Sequence, residues 1–428
     1  MTQAKFKFLS DAIAGFDQFT EVSSSCGERV SELYCYEIEV KTPLSADINL
    51  DDVLDSGARF ISEQNGVEFP VNGILCNFET FKTVQNYVNY KGVFVPKIWP
   101  LLNYKTNGIF YEAGVEGEVD AGQTIAASIA QVLNKTGMLE TTHYKLNGIS
   151  EDNTRLKREY VCQYNESDFF TFRLMKNEGV FYYFEQSTSG EASVFLNDQD
   201  YDDFSQPKLI FDVAAMSQTQ DDCGFGWSYR KQRLPQTVVV RDYNAQEPSL
   251  DVSDTTTIDD KGQGTEYIYG KNFKTDIKAS HLSQLRAEEP IGRRTEFFGE
   301  SSVTRLQAGH CFGLDHYPNT QCNKTEYLAI EVNHEGHGLD LSKSSNGQKA
   351  SRPQYRPALK TQKPRIIGTL PARIDGELDS EGRYKVSLPF DFHNENHPGG
   401  LASASVRIMQ PYAGKNDRHI NRERIHMG

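Results

Sequence analysis

Excess positive charge, paired cysteines and long apolar runs are all missing from this sequence, and each absence closes off a class of function. Lys and Arg number 45 against 59 Asp and Glu, a formal net charge of −14. A surface this acidic repels phosphate backbones, so nucleic-acid binding through general electrostatics is excluded and solubility is the plain reading of the charge. The seven cysteines (Cys26, Cys35, Cys76, Cys162, Cys223, Cys311 and Cys322) are odd in number, widely spaced and never arranged as Cys-x-x-Cys. That pattern supports neither a disulfide framework nor a thiolate metal site, and it suits small core residues in a reducing compartment. No run approaches the ~18–20 apolar residues that a membrane helix needs. The start, Met1-Thr-Gln-Ala-Lys-Phe-Lys-Phe, lacks the apolar core and small-residue cleavage site of a secretory signal. Internal repeats and low-complexity tracts are absent as well.

Aromatic residues are what the chain has in quantity. Its 25 Phe and 21 Tyr, against 2 Trp and 6 Met, favour pleated, half-buried β surfaces. At 428 residues with 38% hydrophobic content, two or more domains with modest cores are expected.

The stretch from Arg158 to Glu185 is the most informative. Arg158 to Tyr164 is rich in β-forming residues. Asn165 or Ser167 can cap a helix, with Glu166 and Asp168 near its positive end. Phe170, Leu174 and Met175 would line one helical face, and Gly179 can take the left-handed conformation that stops it. Val180 to Phe184 then reads as an apolar strand. The unit offers hydrophobic faces and no free catalytic group, so it reads as scaffold. Its Arg-Glu-Tyr, Gln-Tyr-x-Glu-Ser-Asp-Phe and Glu-Gly-Val-x-Tyr-Tyr-Phe-Glu pieces closely resemble the signature block of VgrG proteins. Those are trimeric spike proteins at the tip of the bacterial type VI secretion machine, similar in fold to the hub and spike of contractile phage tails.

Other segments extend the resemblance in matching order. Leu33 to Val40 alternates, Phe69 to Phe81 reads as a strand pair and Tyr87 to Val95 as a further strand. Val71-Asn-Gly-Ile-Leu and Tyr90-Lys-Gly-Val-Phe-Val-Pro-Lys-Ile-Trp-Pro-Leu-Leu resemble the family's barrel strands. A helix is expected over Gln123 to Lys135, ended by Gly137. Strands return from Ala192 to Tyr243, and Ser249 to Gly264 reads as a polar surface loop. A second helix is expected over Asp276 to Glu289, capped by Thr275, burying Ile277, Leu282 and Leu285, and terminated by Pro290. Further strands run from Phe297 to His334, where Leu306-Gln-Ala-Gly-His-Cys-Phe-Gly-Leu resembles another family strand. Ser342 to Lys363 has a linker's composition. After it, Gly382-Arg-Tyr-Lys-Val-Ser-Leu-Pro-Phe-Asp and neighbouring Gly-punctuated strands resemble the small OB-fold barrel of the family. Tyr384 and Phe390-Asp391 stand where relatives usually have Val or Trp, swaps of tolerable volume.

The resemblance implies a mainly β fold with a few helices (α+β): a phage-tail-hub-like double β-barrel domain over residues 1–341, a linker over 342–363 and the N-terminal part of an OB-fold over 364–428. The long β-spike is missing, so a truncated form is expected. The implied function is structural. Three copies would form a hub that caps the hexameric Hcp tube, with a tip-capping PAAR protein and effectors in the full-length protein, and baseplate components as neighbours. Assembly would occur in the bacterial cytoplasm, with export through the machine and no signal peptide. A contractile phage hub is the alternative within the same fold, and a peptidoglycan hydrolase the alternative outside it.

Several constellations invite chemistry, and in each the structural reading is preferred. His334-Glu-Gly-His337-Gly-Leu-Asp340 has imidazoles at i and i+3 rather than the i and i+4 of a zinc helix, and it follows a strand-like run. Lys261-Gly-Gln-Gly-Thr lacks the spacing of a phosphate loop. Asp168, Glu178 and Glu185 could serve as paired carboxylates for sugar cleavage, yet all belong to the scaffold block. Arg293-Arg294 and Lys231-Gln-Arg233 are short basic clusters that read as solvated faces. No Gly-x-Ser-x-Gly elbow is present. The expected site is therefore empty: no catalytic, cofactor-binding or metal-ligating residue is assigned.

Overall fold

The computed structural model describes residues 5–12, 22–44, 48–54, 56–64, 66–110, 124–149, 161–169, 177–188, 192–197, 208–211, 223–244, 247–271, 273–301, 303, 305–320, 322–324, 326–337, 340–349, 355–359, 361, 364–379, 382–392 and 405–409. The chain divides into two compact units, the first of residues 1–99, 138–150 and 178–358, the second of residues 100–137, 151–177 and 359–428.

Strands β1 (Lys5–Ser10), β2 (Val22–Arg29), β3 (Cys35–Pro43), β4 (Gly57–Gln64), β5 (Val67–Val84) and β6 (Tyr87–Val95) come first, with the short helix α1 (Leu50–Val53) after β3. Next are β7 (Lys105–Phe110), helix α2 (Ile125–Lys135), β8 (Tyr144–Gly148), β9 (Val161–Ser167), β10 (Phe181–Gln186) and β11 (Ala192–Asn197). Strands β12 (Lys208–Phe211), β13 (Cys223–Lys231), β14 (Thr237–Tyr243), β15 (Asp251–Thr257) and β16 (Thr265–Tyr269) precede helix α3 (Asp276–Gly292). Strands β17 (Thr295–Ser301), β18 (Cys311–Asp315), β19 (Glu326–His337), β20 (Asp340–Lys349), β21 (Arg373–Ile374), β22 (Arg383–Tyr384), β23 (Val386–Ser387) and β24 (Val406–Arg407) follow. The chain is mainly β with a few helices, as its aromatic composition suggests.

Most of the first unit is one large sheet, ordered β1-β4-β5-β6-β3-β2-β19-β18-β12-β13-β17-β20. Because β20 also pairs with β19, the last six strands close into a ring. Trp227, Phe297, Leu306, Phe312, Leu314, Tyr327 and Val332 form the hydrophobic core of that half. The other half, β1-β4-β5-β6-β3-β2, is not closed by any pairing of β1 with β2 among the described residues. Its pattern is the simplest in the molecule: Tyr36, Ile38, Val40 and Thr42 of β3 are buried while Cys35, Glu37 and Glu39 are exposed, the period of two that a one-sided strand dictates. Fully burying one such aromatic or aliphatic side chain is worth about 1.5–3 kcal/mol, so this face alone secures the strand. A separate three-stranded sheet, β15-β14-β16, carries α3 on one side, with Val238, Val240, Val252 and Ala279 buried in between.

In the second unit β7 pairs with β9. Helix α2 starts where Thr124 Oγ1 accepts from Ala127 N–H at 3.1 Å, buries Ile125, Ile129, Val132 and Leu133, and stops before Gly137 at φ +80°. Ile109 of β7 packs with Val386 and Leu388, beside Tyr384, Phe390 and Val406. Asp391 Oδ1 accepts from Ile109 N–H at 3.3 Å, and Phe392 N–H donates to Asn107 O at 2.9 Å. The segment expected as a separate barrel over 364–428 thus belongs to the same compact unit as residues 100–137 and 151–177.

Several expectations change. The strand pair expected over Phe69 to Phe81 is one strand, β5, which bends at bulges after Leu75 and Thr80 instead of turning back. Ser167, offered as a helix cap, is the last residue of β9, and Asn165 sits at φ +51° within that strand; Phe170, Leu174 and Met175 lie outside the described residues. The loop expected over Ser249 to Gly264 contains β15, whose Val252 and Thr255 to Thr257 supply β-branched side chains along β14. Pro290 does not end α3, which continues to Gly292, and Ile277 is exposed rather than buried. The linker expected over 342–363 begins inside β20, held by backbone pairing to β17 and β19 on both sides, and the first unit runs to Ala358.

Candidate functional site

The signature block is where the first unit is tied together. Gly179 has φ +78°, and a Cβ there would stand 2.4 Å from Leu285 Cδ2 of α3, so both conformation and space demand glycine. Its carbonyl accepts from Arg356 Nη1, and Arg356 Nε donates to Glu288 Oε2 of α3 at 2.6 Å. Arg356 is itself buried, and Arg293 Nη2 donates to its carbonyl at 3.4 Å. A single arginine therefore joins the signature turn, α3 and the segment that follows β20, with each bond charge-assisted on the donor side.

Beyond the turn, Val180, Phe181, Tyr182 and Tyr183 are at most 1% exposed. Ser31 caps this strand laterally: its N–H donates to Tyr182 O at 2.8 Å and its Oγ accepts from Tyr182 N–H at 3.1 Å. Tyr183 meets the second family motif. Gly309 has φ +92° and a Cβ there would lie 2.3 Å from Tyr183 Cβ, while the His310 ring stands edge-on to the Tyr183 ring at 5.4 Å. At the far end Gln186 Oε1 accepts from Asn72 N–H at 2.9 Å, and Asn72 Nδ2 donates to Ser187 O at 2.8 Å. Tyr34 OH donates to Asn72 O and packs its ring against Phe184 at 4.7 Å. Glu28, a buried carboxylate, accepts from Tyr36 OH and from Ala308 N–H at 3.3 Å.

The electrostatics of this node oppose proton chemistry. Burial holds the Tyr182 phenol well above its ordinary pKa, with Glu32 adding to the shift, and burial likewise raises Tyr355. Burial lowers the His310 imidazole, which keeps it neutral near pH 7. Groups held in their neutral or paired forms brace a fold; they do not exchange protons at working pH.

The histidine and carboxylate candidates disperse, and the two basic clusters meet. His334 is buried in β19, a strand that pairs on to His337 opposite Asp340. Among the described residues no group of His, Cys, Asp or Glu of metal-binding size gathers. Lys261 N–H donates to Asp259 Oδ1 at 3.1 Å in the turn between β15 and β16. Asp168, in the second unit, accepts from Gln163 Nε2 at 2.9 Å and Thr106 Oγ1 at 3.1 Å. Glu185 pairs with Lys145 at 2.5 Å, and Glu178 is half-buried beside the turn glycine. Arg294 pairs with Asp259 at 3.2 Å, while Arg293 turns to Arg356. The Lys231-Gln-Arg233 stretch runs alongside this pair, with Gln232 N–H donating to Arg294 O at 3.0 Å and Gln232 Nε2 donating to Arg293 O at 2.9 Å, and with Lys231 and Arg233 exposed. Sequence reasoning missed Arg356, Glu28 and Ser31. Arg356 lay in what read as linker, and only its place between Tyr355 and Pro357, in an extended-favouring context, set it apart.

The profile of the phage tail baseplate hub (GPD) family matches residues 27–339. The chain belongs to that hub family. The match runs from the end of β2 past the end of β19, so it takes in the node of the first unit except Tyr355 and Arg356. Among curated relatives of this hub chain, the type VI secretion system spike protein VgrG1b of Pseudomonas aeruginosa is 23% identical over 91% of the chain and 53% of its own length. The chain spans about half the length of the curated spike proteins it matches. Among solved structures, the E. coli c3393 protein, a component of the type VI secretion system with structural similarity to T4 bacteriophage tail proteins gp27 and gp5, aligns with TM-score 0.67 at 17% identity, covering 94% of this chain and 96% of that one. A chain of the half-lidded Francisella PdpA-VgrG complex aligns with TM-score 0.58 at 8% identity, covering 98% and 74%. The resemblance to VgrG proteins read from the signature block is borne out by these relatives. Across the described residues no helix is long and apolar enough to cross a membrane.

Proposed function

We propose that this chain is the hub portion of a type VI secretion spike and acts mechanically rather than as an enzyme. What carries the reading is the hub-family match over residues 27–339 together with an interior that spends its polar groups on bracing. Three copies form a hollow hub that stacks on the hexameric Hcp tube. In the full-length protein, a tip-capping PAAR protein and effectors ride beyond it, and baseplate components surround it during assembly. The chain is assembled in the bacterial cytoplasm and leaves through the machine. Residues 1–341 are the hub and 364–428 begin an OB-fold that starts the spike, with the connecting stretch partly absorbed into β20. Permanent interfaces of this kind typically bury well over ~2,000 Å².

Light scattering of the purified chain, followed by co-sedimentation with Hcp rings, tests the reading. A mass of three chains and sedimentation with the rings support it; a single-chain mass with no Hcp association contradicts it. A contractile phage hub is the second reading, favoured by the phage tail family that the profile describes. Sheath and secretion genes beside this one, rather than capsid and tail genes, would decide against it. Clearing of a cell-wall suspension, lost on one carboxylate substitution, would instead restore the hydrolase reading.

A further inference from the structure

Beyond the rung formed by Val40, Tyr90 and Thr80, strands β3, β5 and β6 continue outward as a narrow projection. Every residue from Glu79 to Tyr87 is exposed. Leu44, Phe81, Val84 and Tyr87 are large apolar side chains among the exposed ones, and the bulge between Thr80 and Lys82 leaves Phe81 outside the ladder. The projection is well held at its base: Thr42 and Val88 are buried, and Leu44 N–H donates to Asn86 O at 2.7 Å. Its charge is opposite to that of the molecule. The described residues outward of the rung, 41–44 and 81–89, hold Lys41 and Lys82 and no Asp or Glu, in a chain of net charge −14. Lys41 Nζ lies 5.0 Å over the Tyr87 ring, so cation and aromatic are presented together.

We infer that this cationic, apolar hairpin tip docks on an acidic surface of a second copy of the same chain. Copies at −14 repel one another, and association is helped where a patch of inverted sign meets the prevailing one. The four exposed apolar side chains supply the burial, and the two lysines supply orientation. An anionic membrane is the weaker occupant, because two lysines fall short of the roughly four to eight basic residues of a surface-binding cluster. The inference rests on the trimer reading and names one of its contacts.

The test replaces Phe81 with photoreactive p-benzoylphenylalanine in the whole chain, irradiates it, and sequences the product. The expected result is a product of two chains joined from position 81 to an Asp- and Glu-rich segment of the neighbour. The paired change Lys41→Glu/Lys82→Glu should raise the dissociation constant of the assembly by about tenfold or more. A trimeric protein that gives no intermolecular product at position 81 overturns the inference and leaves the trimer reading standing. A wild-type chain that stays single at all concentrations overturns the trimer reading, and the tip contact with it. Binding of the tip to anionic vesicles, with no cross-link between chains, assigns it to a membrane and also overturns the inference. If the charge variant does not fold, the cross-link on folded protein still decides.

Discussion

The signature node and the hairpin tip are both aromatic and both lie in the first unit, yet they differ in almost every physical respect. At the node Phe181, Tyr182 and Tyr183 are at most 1% exposed, and the flanking glycines have no room for a methyl group. At the tip Phe81 is 58% exposed and nothing described covers it. The difference teaches where each kind of change should register. Alterations at the node cost folding; alterations at the tip cost association.

The largest effect should come from Gly179→Val or Gly309→Val. Each forces a β-branched residue into positive φ and against a packed side chain, so a loss of about 3–6 kcal/mol is expected, enough to abolish soluble expression. Normal urea midpoints for both variants would break the comparison. Next is Arg356→Ala, which strands Gly179 O and leaves Glu288 half-buried without its partner. Because Glu288 keeps some solvent, about 2–3 kcal/mol is expected rather than the full cost of a buried orphan charge, read as a lower urea midpoint.

A smaller effect concerns His310. Burial lowers its folded pKa below the ordinary 6.5, so the unfolded chain takes up the proton first. The contribution is absent as a penalty above that value and grows as pH falls below it, until the folded form also protonates. Thermal scans should show His310→Gln flattening part of the stability loss below about pH 6.5; an unchanged slope would mean that the imidazole is not held neutral. The smallest stability effect belongs to the tip, where Phe81→Ser should shift unfolding by no more than about 0.5 kcal/mol. A larger shift would show the tip to be part of the fold.

Much of the node was legible because several local signals agreed. An apolar run from Val180 to Phe184 bounded by a glycine can hardly be anything but an interior strand, and Thr124 and Thr275 cap their helices through hydroxyls that accept at 3.1 and 3.4 Å. Strand β3 announced itself by alternation. Strand β20 did not, since Ser342 to Lys349 is polar throughout and is held by two backbone ladders, which sequence does not record. Ile277 was read as buried from its helical spacing, but α3 turns Ala279, Ser283 and Leu285 inward and leaves Ile277 exposed. The Arg356 bridge was invisible for a related reason: its three partners are brought to it from positions 179, 288 and 293 only by the completed fold. Asp168 and Glu185, weighed as candidates from residue type, hold Gln163 and Lys145 as partners, which no spacing foretold.

That the chain is built to be assembled and pushed is tested most directly by its molar mass in solution. Light scattering should give three times the 48.4 kDa of one chain. A mass of one chain at every concentration would contradict the account.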